Sequence, residues 1–161
     1  MNLRLIAPAL GALAALLLSG CDFDFPLTAK PTRPVDERLL GNWTCQEDKD
    51  QKPEQMNVRK LDDSTYIVSY NGDLYRAQHS DLDGFALLSV QDLNPVPGRY
   101  VYVQYQLSTE GTRLALRTVN AKLVLAAAKD QAGVEQFVRQ NADNPKLLGD
   151  EGIFNKKPDR P

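Results

Sequence analysis

The sequence predicts a mainly β fold: a small antiparallel β-barrel or strongly bent sheet with one C-terminal α-helix. Three observations lead there. From Leu39 onward, short runs rich in β-branched and aromatic residues alternate with turn residues. Asn71-Gly72 lies between two such runs and is the strongest short hairpin signal in the chain. After Asp130 the apolar period changes to that of a helix face.

"NWTCQ" opens the series, and "MNVRKL" follows the charged loop Glu47 to Glu54. Asp62-Asp63-Ser64 then turns the chain into "TYIVSY", the acids suiting Asx-type hydrogen bonds. With Asn71 and Gly72 as the two loop residues, Tyr70 faces Asp73, Val68 faces Tyr75 and Tyr66 faces Ala77. Continuing outward puts His79 on the face of Tyr66, Val68 and Tyr75. The other face carries Thr65, Ser69, Arg76 and Gln78, with Ile67 and Leu74 as apolar exceptions. The aromatic face is therefore the predicted interior.

"FALLSVQDL" is apolar on both faces at its start, as a covered strand would be. Two prolines in Asn94 to Gly98 make that stretch a loop. In "YVYVQYQL", Val101, Val103, Tyr105 and Leu107 face one way and Tyr100 and Tyr102 the other. "STEGT" turns the chain into "RLALRTV", where Leu114 and Leu116 oppose Arg113 and Arg117. "KLVLAA" fits either a last strand or a helix start. Asp130 suits the cap of a helix near 131–142, with Val134, Phe137, Val138 and Ala142 on one face. Asn144-Pro145 ends that helix. "GIFNKK" is a candidate closing edge strand, and 156–161 is expected to be a disordered tail. Roughly seven or eight strands point to a closed sheet, with a sandwich as the alternative.

The N-terminus addresses location. Leu5 to Leu18 carries no charge, is interrupted by Pro8 and follows a short basic start at Arg4. A spanning helix needs about 20 apolar residues, so an export signal fits better. Leu18-Ser19-Gly20-Cys21 resembles the lipobox of bacterial lipoproteins. The resemblance implies that 1–20 is a cleaved signal peptide and that Cys21 is acylated by chains such as palmitate. These chains would anchor the domain to a bacterial cell-envelope membrane, outside the cytoplasm. Asp22 resembles the inner-membrane retention signal of enteric bacteria, while other bacteria read later positions, so inner and outer membrane both stay open. Residues 21–38 hold Pro26, Pro31 and Pro34 and read as a proline-rich tether. At about 3.1 Å per residue it would hold the domain roughly 40 Å from the lipid. Phe23 and Phe25 would rest at the bilayer interface or pack against the domain.

Two further resemblances concern the domain, expected over 39–155. Gly41-x-Trp43 is similar to the opening of lipocalin-like barrels, which implies a barrel whose tryptophan packs at the closed end. "FVRQNADNPKLLGDEGIF" resembles the tail of uncharacterised small bacterial lipoproteins, a likeness that implies no activity.

Composition limits the function. Without residues 1–20 the chain has 141 residues, enough for one domain with a core. It then carries 18 basic against 21 acidic residues, a formal −3 with no basic patch, which argues against a nucleic-acid partner. Of the two cysteines, acylation consumes Cys21, and Cys45 reads as a buried thiol on the face of Trp43. His79, Ser80 and Asp81 hold the residue types of a hydrolase triad, but consecutive strand residues point to opposite faces. The single histidine argues against a metal site, and "DLDG" lacks the remaining positions of a calcium loop. No phosphate loop, dinucleotide fingerprint or nucleophile elbow appears. No catalytic residue, metal ligand or cofactor is therefore expected, and the chain does not read as an enzyme. The reading is a non-catalytic binding module for a small apolar or amphipathic ligand, with Tyr66, Val68, Tyr75 and His79 as candidate pocket residues. The alternative is a structural or protein-interaction envelope lipoprotein with a filled barrel, presenting Tyr100 and Tyr102 to an envelope protein partner.

Overall fold

The computed structural model describes residues 23–45, 52–94 and 98–158. The lipobox, Cys21 and Asp22 lie outside the described residues, as does most of the loop between the first two strands. Among the described residues, eight antiparallel strands close into a barrel in sequence order. They are β1 (Gly41–Cys45), β2 (Glu54–Lys60), β3 (Thr65–Tyr70), β4 (Asp73–His79), β5 (Leu87–Asp92), β6 (Tyr100–Leu107), β7 (Arg113–Val119) and β8 (Leu148–Lys156). β8 shuts the cylinder on β1 through Trp43↔Lys156 and Thr44↔Asn155. Closure leaves no unpaired sheet edge.

The hairpin register follows the turn. Asn71 and Gly72 hold φ of 50° and 103°, and Tyr70↔Asp73, Val68↔Tyr75 and Tyr66↔Ala77 pair as the sequence predicts. Ser64 donates its backbone N–H to Asp62, the expected Asx-type turn.

Alternation then sorts the side chains. Trp43, Met56, Val58, Tyr66, Ala77, Val103, Leu116 and Phe154 share an interior core. A second core lies on the outer face of β5 to β7, where Leu87, Tyr102 and Val119 pack with Val124, Val134 and Val138 of two helices. These are α1 (Ala121–Ala127) and α2 (Gln131–Gln140), both between β7 and β8. "KLVLAA" becomes helix because the Asn120 side chain accepts the N–H of Leu123 and caps it. Asp130 caps α2 by accepting from Gly133.

Two boundaries differ from expectation. β8 starts at Leu148, before "GIFNKK", and reaches Lys156, inside the predicted tail. More consequentially, 23–36 is no extended tether. Phe23 and Leu27 are fully buried in the outer core. The segment is a strap laid along the barrel wall, because sheet and helices leave an apolar trough that these side chains fill. Tyr100, beyond the last β6–β7 pair, exchanges both backbone hydrogen bonds with Phe23. The Phe23 ring stacks on Tyr102 at 3.9 Å. Farther along, the Leu27 N–H donates to Ser89 Oγ, and the hydroxyls of Thr28, Ser80 and Ser89 form a buried chain. Gln131 of α2 donates to the Pro26 carbonyl from the other side.

Candidate functional site

Alternate residues of β2 to β7 converge inside the barrel around a cavity of about 100 Å³. Its wall is aliphatic apart from Tyr66, Tyr70, Tyr75 and Thr118. Val68, Tyr75, Val90 and Val101 are only half-buried although they face inward. All four lie toward the end that carries the Asn71-Gly72 turn; Leu88 and Leu107, also half-buried, lie toward the other end, which a 3₁₀ turn covers, so the uncovered Asn71-Gly72 end is the mouth. At the other end Trp43, Tyr66, His79 and Phe154 are fully buried. The 3₁₀ turn Glu37–Leu39 closes this end, with Leu39 inserted in the core and its carbonyl accepting the Trp43 indole N–H.

Polar groups in the wall are few, and the hydroxyls of Tyr66 and Tyr70 are held by hydrogen bonds. Tyr70 donates its hydroxyl to Glu54 at 2.6 Å, and burial together with that carboxylate pushes its pKa up. Burial also raises the pKa of Tyr75. Both phenols stay neutral donors at any ordinary pH.

Below the cavity the strap ends in a polar network. The Asp36 N–H donates to the Tyr66 hydroxyl at 2.6 Å, and that hydroxyl lies 2.7 Å from His79 Nε2. Burial raises the Tyr66 pKa to about 12 and lowers that of His79 to about 4. The Tyr105 hydroxyl lies 3.4 Å from His79 Nδ1, with an Asp81 carboxylate oxygen at 4.0 Å. Arg33 holds the other Asp81 oxygen at 2.7 Å and stands over the Tyr105 ring. Arg38 hydrogen-bonds Asp36 and holds its carboxyl below the usual range.

Of the predicted pocket residues, the cavity gathers Tyr66, Val68 and Tyr75. His79 shares their face but sits beneath them, engaged with Tyr66, and does not reach the cavity. Sequence reasoning missed Leu88 and Val90, whose strand reads as apolar on both faces, and Leu114 and Leu116, whose alternation with Arg113 and Arg117 gives a face without showing which positions meet. Ser80 points outward to Thr28 and Ser89, away from the imidazole. Tyr102 cannot serve as an outer contact residue, because Phe23 covers its ring and its hydroxyl donates to the Phe25 carbonyl. Cys45 is buried in the interior core beside Trp43. Among the described residues no three His, Cys, Asp or Glu side chains are arranged to hold a metal ion. The chain matches no family model, no curated protein and no solved structure with which it was compared.

Proposed function

We propose that this chain is a lipid-anchored envelope protein whose barrel binds a small apolar or amphipathic ligand, with no catalytic step. One observation carries the reading: a cavity lined by aliphatic and tyrosine side chains that opens at one end of the barrel. Such a wall rewards apolar contact and offers few hydrogen-bonding groups, so selectivity would come from shape. Sites for drug-sized ligands run to about 300–1,000 Å³, whereas this cavity has about 100 Å³. A single alkyl chain end suits it better than a fused ring system. Anchoring would come from acyl chains on Cys21, the reading that the lipobox resemblance supports.

The test is titration with an apolar fluorescent probe of single-chain shape. Wild type should bind with a defined stoichiometry, Tyr75→Ala should change the affinity, and the outward Arg76→Ala should not. No binding to wild type, with a loss of about 3–5 kcal/mol of stability in Tyr75→Ala, would instead identify the tyrosines as core filler. The small volume favours that second reading, a structural or protein-interaction lipoprotein with a filled interior. The anchor is tested separately by Cys21→Ala, which should leave the membrane fraction.

A further inference from the structure

We infer that the barrel stands mouth-down on the membrane, its open rim touching the lipid surface. The inference rests on the acylated Cys21 of the proposed function and adds an orientation to it. The backbone pairing of Phe23 with Tyr100 fixes where the strap begins. Tyr100 is the first residue of β6, next to Val101 on the mouth wall. Only Asp22 separates Cys21 from Phe23, a reach of at most about 7 Å over two residue steps. Acyl chains on Cys21 therefore enter the lipid beside the mouth, and the rest of the strap runs away from it. A flexible tether would leave orientation free; a docked strap does not.

Among the described residues, the rim offers two exposed apolar side chains for such contact. Leu74 and Leu93 are 44% and 36% exposed, and the Leu93 N–H donates to the Leu74 carbonyl, so the two are neighbours at the mouth. The carboxylates Asp73 and Asp92 stand beside them in sequence, so the contact is apolar and shallow rather than an electrostatic attraction to anionic lipid. Leu61, 56% exposed, lies at the opposite end after β2 and serves as an internal control. An amphiphile would then reach the cavity from the bilayer side.

The test uses the full chain, expressed with its lipid modification and reconstituted into phosphatidylcholine vesicles with brominated acyl chains. Leu74→Cys, Leu93→Cys and Leu61→Cys, each carrying a small fluorophore, report depth by quenching. Strong quenching at 74 and 93, several-fold above that at 61, is the expected result. Equal quenching at all three, or greater quenching at 61, overturns the orientation. A Gly/Ser insert of about sixteen residues between Asp22 and Phe23, spanning roughly 20–24 Å, should keep the protein bound yet reduce quenching at the rim. Undiminished quenching with the insert shows that the strap does not set the orientation and also overturns the inference. Intact mass separates the two failures: a chain without acyl mass removes the anchor itself, whereas an acylated chain with an unquenched rim refutes only the orientation.

Discussion

The Tyr66 hydroxyl lies 2.7 Å from His79 Nε2, inside a barrel that leaves the imidazole no exposed surface. We assign the hydroxyl as the donor, because its oxygen already accepts the Asp36 N–H and the Asp81 carboxylate 4.0 Å from Nδ1 favours the ring proton on that side. The ring is then neutral, with its own proton on Nδ1 facing Tyr105.

Stability should therefore fall with acid in a defined window. Burial lowers the folded pKa of His79 from 6.5 to about 4. Between these values the unfolded chain binds a proton that the native state does not, so stability rises with pH there. The loss on going from neutral pH to about pH 4 should be on the order of 3 kcal/mol. Denaturant titrations at several pH values should show it, and His79→Gln should remove that slope. Asp36, whose carboxyl pKa is lowered, adds its own loss only at lower pH, below its ordinary value of 3.8.

Tyr66→Phe should be costly without creating a large cavity. It leaves the Asp36 N–H and His79 Nε2 without their shared partner, at about 1–3 kcal/mol for an unsatisfied buried group. It also removes a donor that favours the neutral ring, so the His79 pKa should rise from about 4. The imidazole resonances, followed by NMR against pH, report this directly. An unchanged titration would contradict the assigned proton.

Ala77→Leu should separate binding from stability. Ala77 faces the cavity between Tyr66 and Val90. Extra methylenes there enter free space rather than packed atoms. The variant should melt no lower than wild type yet lose affinity for an apolar probe. A lowered melting temperature with intact binding would place the bound probe elsewhere.

Ser89→Ala should loosen the strap. The Leu27 N–H and the Ser80 hydroxyl both meet Ser89 in a buried setting. Their loss should cost about 1–3 kcal/mol and make the Leu27–Thr28 bond cleavable by chymotrypsin under native conditions.

Cys45 should react slowly with an alkylating reagent in the native protein and rapidly in denaturant, since it is only 2% exposed. Mass spectrometry of timed samples reads the ratio.

The features legible in the sequence are those whose cause is local. Asn71-Gly72 fixes a hairpin register by backbone geometry, and Val68 and Tyr75 duly meet across it. Asp130 caps α2 from within its own first turn. The strap has no such local cause. Its prolines read as a spacer, and its partners Ser80, Ser89 and Tyr100 lie more than 50 residues away, so nothing nearby signals docking. β8 reads short in the sequence because Asp150 and Glu151 interrupt its apolar pattern, although both are exposed in the finished barrel. For His79 the sequence yields the correct face but the wrong depth. Alternation gives the side of a sheet and says nothing of position along the barrel axis.

The strap also has a mechanical meaning. Its attachments are spread along its length: Phe23 on Tyr100, Leu27 on Ser89, Thr32 on the His79 carbonyl, Val35 on Asp63 and Asp36 on Tyr66. A pull on the chain ahead of Phe23 acts along this line, so the attachments share the load as a lap joint does in shear. They need not fail in succession like peeled tape. Whatever grips the strap at Phe23 therefore grips the barrel as a rigid body.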